Sequence, residues 1–200
     1  MIVKSAEFVK SSAGYQQCPE EKYPEYAFIG RSNVGKSSLI NKICNKNKLA
    51  KTSSTPGKTQ LINHFLINNE WYLVDLPGYG YAKMPINLKK KMETLISTYL
   101  LNRKNLLNIF VLIDSRHKPQ QIDLDFMMNL AGSQLAFTII FTKADKNKKQ
   151  KLQDQIEYYK KELLEYWEEI PPYIVTSSET GLGSEEILDF VSQTNTIFQK

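Results

Sequence analysis

Residues 30–37 of this 200-residue chain read GRSNVGKS, which fits the pattern GxxxxGKS. The apolar run 26–29 before them predicts a short β-strand, and residues 37–45 after them have the apolar spacing of a helix. Between a strand and a helix, the two glycines let the loop wrap closely around a phosphate chain, so that backbone N–H groups and the helix N-terminus point at it. The motif therefore predicts a nucleotide-phosphate site, with Lys36 on the β- and γ-phosphate oxygens and the Ser37 hydroxyl on Mg²⁺.

The rest of the chain predicts an α/β fold, because strand-like apolar runs alternate with helical periodicity. We expect one domain over residues 1–200, with residues 1–22 as a partly ordered N-terminal extension, and a mixed, mostly parallel six-stranded sheet with helices on both faces. The predicted strands are 26–29, 61–67, 71–76, 107–113, 135–141 and 173–175, and the predicted helices are 37–45, 88–102, 123–130, 148–167 and 185–198. A polar, basic loop joins the first helix to the second strand over residues 46–60.

Composition narrows the class of protein further. Cys18 and Cys44 are the two cysteines and lack the spacing of a disulfide framework or a zinc site, which favours a reducing compartment. The apolar runs 109–113 and 135–141 are too short to span a bilayer, and residues 1–20 lack a signal-peptide core. We therefore expect a cytoplasmic protein with no membrane partner.

Two further motifs fall at the ends of predicted strands. Residues 75–78 read DLPG, where Asp75 is placed to hold the metal through water and the Gly78 N–H to sense a γ-phosphate. Residues 142–145 read TKAD, where Asp145 can accept hydrogen bonds from guanine N1–H and N2–H₂, a donor pair that adenine lacks, and the Lys143 stem can cover the base. Since such ends meet at one edge of a parallel sheet, the three motifs together predict a guanine-nucleotide site.

The stretches GRSNVGKSSLIN, STPGKTQLINHF, DLPGYGYA, IDSRHKP, FTKAD and TSSETGLG resemble the EngB (YihA/YsxC) family of bacterial ribosome-biogenesis GTP-binding proteins, which are translation-factor-class, Ras-like P-loop GTPases. The resemblance spans nearly the whole chain and implies Lys36, Thr59 and Gly78 as catalytic residues, with Ser37 and Thr59 as metal ligands and Asp75 acting through water. The nucleotide-binding residues that it implies are Gly30, Arg31, Ser32, Asn33, Val34, Gly35, Lys36, Ser37, Gly57, Lys58, Thr59, Gln60, Leu61, Asp75, Leu76, Pro77, Gly78, Thr142, Lys143, Ala144, Asp145, Thr176, Ser177 and Ser178.

The resemblance also implies a role. It is that of a monomeric switch that binds GTP and GDP and acts in assembly of the large ribosomal subunit, where it contacts rRNA or ribosomal protein. The resemblance further implies that normal cell division and septation require the protein. From the residues alone, a nucleotide-gated RNA-binding module with incidental hydrolysis stays open, because the chain carries a net charge of +5 and residues 31–69 hold seven Lys or Arg and no Asp or Glu. That basic run is equally compatible with a solvated surface.

Tyr79 and Thr142 depart from the wider GTPase pattern, and Asn33 matches a residue of its cation-dependent members. Tyr79 stands where Ras-like enzymes keep a water-orienting glutamine, so intrinsic hydrolysis should be slow, and we interpret residues 78–82 as a switch that presents aromatic side chains to a partner. Asn33 resembles the asparagine with which cation-dependent relatives hold K⁺, although it is as readily explained as a residue that stabilises the loop. Thr142 replaces the commoner Asn and removes an amide from the base pocket. We interpret His64 and His117 as structural or surface residues.

Overall fold

The computed structural model of the protein describes residues 1–50, 60–80 and 84–198. These residues form seven strands and five α-helices, with two short 3₁₀ turns. The strands are β1 (Ala6–Ser12), β2 (Glu25–Gly30), β3 (Ile62–Ile67), β4 (Trp71–Asp75), β5 (Leu106–Asp114), β6 (Phe137–Thr142) and β7 (Tyr173–Val175). The helices are α1 (Lys36–Ile43), α2 (Ile86–Asn102), α3 (Gln121–Gly132), α4 (Lys149–Leu164) and α5 (Ser184–Asn195).

The strands form one mixed sheet in the order β1-β3-β4-β2-β5-β6-β7. Strands β4, β2, β5, β6 and β7 run parallel, whereas β3 is antiparallel to both β1 and β4. The β3–β4 hairpin turns at Asn68 and Asn69, whose φ angles of 53° and 56° are left-handed. Asparagine tolerates that conformation better than most residues, which explains the predicted turn between two apolar runs.

The α/β fold class is confirmed, with one strand more than expected. The additional strand is β1, within the stretch assigned to an N-terminal extension. Its five central residues are solvent-exposed and only Ala6 and Ser12 are buried, because β1 lies at the edge of the sheet and pairs through its backbone with β3. A strand exposed on both faces needs no alternation of apolar and polar residues, so its sequence gives little sign of it.

Two cores fill the spaces between the sheet and its helices. Every residue of the central strand β2 is buried, and its side chains alternate between the cores. Ala27 and Ile29 pack with α2, α3 and α4 on one face, whereas Tyr26 and Phe28 pack with α1 and α5 on the other. Helices therefore cover both faces, as the continuous apolar character of the parallel strands predicts. Within the described ranges, no helix combines the length and hydrophobicity that a membrane span requires.

A buried ionic cluster lies at the start of β2, away from the sequence motifs. The guanidinium of Arg103 donates to the Glu25 carboxylate at 2.9 and 2.5 Å, the Tyr99 hydroxyl donates to it at 2.6 Å, and His64 Nε2 lies 3.3 Å from it. Burial alone would raise the pKa of Glu25, but the hydrogen bonds of His64 and Arg103 outweigh it and lower the pKa to about 2. His64 is thus a structural residue, as expected.

Candidate nucleotide site

The glycines of the phosphate loop are required by its path from β2 into α1. A Cβ atom at Gly30 would lie 2.7 Å from the backbone oxygen of Leu112 on the neighbouring strand β5. Gly35 has a φ of 101°, and its carbonyl accepts the first helical bond, from the N–H of Leu39 at 2.9 Å. The loop can therefore pass close to the sheet and turn sharply into the helix, which leaves the N-terminus of α1 facing the carboxyl edge of the sheet.

The structure brings the first two motifs into contact. Asp75 ends β4 and is paired with Phe28 of β2, so it lies beside the phosphate loop. Its carboxylate contacts the Lys36 ammonium, and the two side chains are only 4% and 10% exposed. Burial lowers the pKa of Lys36 to about 7, so the ammonium needs an anionic neighbour to keep its charge. Asp75 is one such neighbour, and a phosphate group would be another.

The predicted base-binding segments also lie together. The N–H of Ala144 donates to the carbonyl of Thr176 at 3.1 Å, which ties the loop after β6 to the loop after β7. The Ser177 hydroxyl donates to Asp145 Oδ1 at 2.7 Å. That bond lowers the pKa of Asp145, which keeps the carboxylate charged as an acceptor. A charged carboxylate can accept the N–H groups of a guanine edge, and that contact stays a prediction.

The base loop and the phosphate loop are joined by two side chains. Lys143 has a left-handed φ of 59°, and its ammonium donates to the carbonyl of Asn33 at 2.5 Å. The Thr142 hydroxyl donates to the carbonyl of Val34 at 2.6 Å. Thr142, which replaces the Asn of the wider pattern, therefore stabilises the phosphate loop. Its direct contact with a nucleotide stays a prediction.

Sequence reasoning missed Asp114, although its motif was part of the resemblance. Asp114 ends β5 and accepts from the Lys143 ammonium at 2.9 Å and from Arg116 at 2.9 and 2.7 Å. Burial would raise its pKa, but the bonds from Arg116 and Lys143 lower it well below the usual range. Its place at the end of a predicted parallel strand, on the edge that holds the other motifs, is the signal that could have found it.

The structure corrects the interpretation of Tyr79 as an aromatic side chain presented to a partner. Tyr79 is 8% exposed. Its ring stacks on Phe126 of α3, with centroids 4.3 Å apart, and its hydroxyl donates to Asp123 Oδ1 at 2.9 Å. Burial of a large aromatic surface against α3 holds the side chain at this helix. The phenol is thus occupied by Asp123 and offers no amide for orienting water.

Part of the expected site cannot be compared with the structure. Gly57, Lys58 and Thr59 lie outside the described residues, as does Tyr81. Gln60 and Leu61 directly precede β3 and are exposed. Leu76 and Pro77 are buried between β4 and Gly78, and Ser178 follows Ser177 in the loop after β7.

Comparison with known proteins agrees with this geometry. A family model described as "50S ribosome-binding GTPase" matches residues 25–143. A protein of Phocaeicola vulgatus described as "Probable GTP-binding protein EngB" is 56% identical over 195 residues, which cover 98% of each chain. A protein of Christiangramia forsetii with the same description is 55% identical, again over 98% of each chain.

Solved structures share the fold. A crystal structure described as that of a probable GTP-binding protein engB superposes with a TM-score of 0.68 at 24% identity, covering 86% of this chain and 98% of the other. Era of Aquifex aeolicus, crystallised with GDP and AlF₄⁻, gives a TM-score of 0.69 at 21% identity over 86% of this chain and 57% of the other. With three nucleotide motifs at one sheet edge and relatives matched over nearly their whole length, the chain belongs to the EngB family of P-loop GTPases.

Proposed function

We propose that this protein is a cytoplasmic, GTP-dependent switch that acts in assembly of the large ribosomal subunit, and that normal cell division and septation depend on it. The observation that carries the proposal is the meeting of the phosphate loop, Asp75 and the Asp145–Ser177 pair at one edge of the sheet. The family description "50S ribosome-binding GTPase" supports the ribosomal partner. Slow hydrolysis would limit how long each docking event lasts.

Nucleotide binding would rest on donors already in place. Lys36 and the backbone N–H groups at the start of α1 would hold the β- and γ-phosphates, and the Gly78 N–H would contact the γ-phosphate. The donor set fits Mg²⁺, because the Ser37 hydroxyl and the Asp75 carboxylate, which ends β4 beside the phosphate loop, both offer oxygen. That ion takes most of its ligands from phosphate and water. Thr59 would complete the set of metal ligands. Bound Mg²⁺ would neutralise charge on the phosphate oxygens.

Hydrolysis would proceed by in-line attack of water on the γ-phosphate, without a covalent intermediate. Phosphoryl transfer needs positioning and charge stabilisation more than a strong base, and Lys36 with the backbone donors supplies both. Residue 79 is a tyrosine whose hydroxyl is bonded to Asp123, so this position offers no amide to orient the water. The intrinsic rate should therefore be low, and a partner or a monovalent ion near Asn33 would raise it.

Docking would involve the loops that the γ-phosphate orders and the basic residues around them. Lys42, Lys46 and Lys48 follow the phosphate loop and are exposed. Positive side chains of this kind neutralise RNA phosphates and release counterions, so binding through them weakens with salt. We propose that these lysines belong to the rRNA-facing surface.

Sedimentation with isolated ribosomal subunits tests the proposal. The protein should co-sediment with the large subunit in the presence of Mg²⁺ and a non-hydrolysable GTP analogue, and less with GDP or without nucleotide. Raising the salt concentration should weaken the association. Binding that is indifferent to the nucleotide, or confined to the small subunit, would contradict the switch.

A nucleotide-gated RNA- or ribosome-binding module with incidental hydrolysis is the second candidate, and the burial of Tyr79 favours it. Single-turnover hydrolysis with and without large subunits separates the two functions. Acceleration by the subunit supports the switch GTPase. Nucleotide-dependent binding without any acceleration supports the binding module.

A further inference from the structure

Asp123 is a buried carboxylate that the proposed reaction does not use. It lies in the first turn of α3 and is 0% exposed. Its Oδ1 atom accepts from Arg31 Nε at 3.0 Å and from the Tyr79 hydroxyl at 2.9 Å. Its Oδ2 atom is buried and has no hydrogen-bond partner among the described residues. A buried carboxylate is costly even when one oxygen is well bonded, so packing alone does not explain it.

The two donors to Asp123 come from the two segments that would touch the phosphates. Arg31 directly follows Gly30 in the phosphate loop, and Tyr79 directly follows Gly78. The segments also approach each other, because a Cβ atom placed at Gly80 would lie 3.5 Å from the Arg31 side chain and 3.0 Å from Ile122 of α3. Residues 78–80 thus run between the phosphate loop and α3. The Asp123 carboxylate bonds to both segments, through Arg31 of the phosphate loop and through Tyr79.

We propose that Asp123 is a positioning residue that couples the phosphate loop to residues 78–80 and thereby raises the affinity of the site for GTP relative to its affinity for GDP. This inference rests on the proposed contact between the Gly78 N–H and the γ-phosphate. The ring of Tyr79 is held by Phe126 and its hydroxyl by Asp123, so the neighbouring peptide has little freedom. A donor that is already oriented binds its acceptor without an ordering cost.

The coupling predicts that the two nucleotides respond differently to its loss. GDP has no γ-phosphate, so it gains nothing from the orientation of Gly78. A GTP analogue would lose the benefit of the oriented donor once Tyr79 is released. Arg31 also loses its ionic partner, which loosens the contact between the phosphate loop and Gly80.

Asp123→Asn and Tyr79→Phe test the coupling by different routes. The first replaces the shared acceptor with a neutral group of the same shape, and the second removes only the hydroxyl and leaves the ring stack. Titration with fluorescent GDP and a fluorescent non-hydrolysable GTP analogue, both with Mg²⁺, gives the ratio of the two affinities. We expect the ratio of analogue affinity to GDP affinity to fall about tenfold in Asp123→Asn and about fivefold in Tyr79→Phe. The affinity for GDP itself should stay nearly unchanged.

Leu130→Ala is the matched control, since Leu130 is buried on the same helix about two turns beyond Asp123. It should lower the melting temperature and leave the affinity ratio unchanged. An unchanged ratio in Tyr79→Phe, or an equal loss of both nucleotides in both variants, would overturn the coupling. Failure of the unmodified protein to bind either nucleotide would instead contradict the proposed function, so the two failures are distinguishable.

Discussion

At the scale of single residues, we propose that Asp145 selects the base of the nucleotide. Its carboxylate is oriented by Ser177 and can accept both N–H donors of guanine. In Asp145→Asn the amide nitrogen opposes one of those donors, while the 2-oxo group of xanthine becomes a suitable partner. Affinity for GDP should fall about a hundredfold, and the xanthine nucleotide should then bind better than GDP.

Displacement of a fluorescent guanine nucleotide by GDP, the xanthine analogue and ADP measures this preference. Lys146→Gln is the control, since Lys146 is exposed and approaches the other oxygen of Asp145 at 3.0 Å. It should leave the preference for guanine intact. Equal competition by ADP against the unmodified protein would show that the base assignment is wrong.

Asn33 tests the dependence on a monovalent cation. Its left-handed φ of 62° suits an asparagine for purely conformational reasons, and its carbonyl is bonded to Lys143. If its exposed side chain also holds K⁺ beside the phosphates, hydrolysis in KCl should exceed that in NaCl by about tenfold, because the ion offsets charge in the transition state. Equal rates in the two salts at matched ionic strength would leave Asn33 as a loop-stabilising residue only.

Glu25 governs how stability depends on pH. Its pKa is about 2 in the folded protein and 4.5 ordinarily, so the ionised form is favoured by folding. That stabilisation is complete above pH 4.5 and is lost as the pH falls through 2. Glu25→Gln should therefore lower the free energy of unfolding by about 3 kcal/mol at neutral pH. Urea unfolding at pH 7, 4 and 3 should show the gap between the two proteins narrowing on acidification, and a gap that is independent of pH would refute the ionic explanation.

At the scale of elements, β1 stabilises the sheet without building the site. It pairs with β3 along its length, and the Phe8 ring packs edge-on against the buried Phe65 at 5.9 Å, whereas the nucleotide motifs follow β2, β4, β6 and β7. Removal of residues 1–12 should cost about 3 kcal/mol of unfolding free energy through lost backbone pairing and leave GDP affinity within about twofold. Phe8→Ala, which keeps the backbone pairs, should cost much less. A large loss of GDP affinity in the truncated protein would show that β1 supports the site as well.

The strands of the sheet show which parts of the fold the sequence predicts well. Strands with buried neighbours on both faces, such as β5 and β6, are continuous apolar runs, and their ends locate the motifs to within a few residues. Strand β1 has no such signal because its pairing is supplied by β3, which is distant in sequence. Local sequence patterns do not predict the burial of Tyr79 either, because it depends on Phe126 and Asp123 of α3, which are distant in sequence. Arg103 is buried because its partner Glu25, far away along the chain, holds it in the interior, and no local pattern predicts that pairing.

At the scale of the whole molecule, the site joins the ends of separate strands. Lys143 and Thr142 tie the base loop to the phosphate loop, Asp114 ties β5 to the base loop through Lys143, and Asp75 ties β4 to Lys36 of the phosphate loop. A nucleotide in contact with all these ends would add cross-links between parts of the chain that are far apart in sequence. Ligand binding should therefore stabilise the global fold rather than one loop.

Thermal unfolding with increasing nucleotide checks this coupling. With Mg²⁺ and GDP at about a hundred times its dissociation constant, the free energy of unfolding should rise by about 2.7 kcal/mol, and the melting temperature should keep rising with the logarithm of the concentration. Lys36→Ala should lose most of the shift because the phosphates lose their buried cation, and ATP should produce none at the same concentration because Asp145 does not accept an adenine edge. If nucleotide shifted only the transition seen by Trp71 fluorescence in β4, while the helices melted at the original temperature, the nucleotide would not be stabilising the fold as one unit.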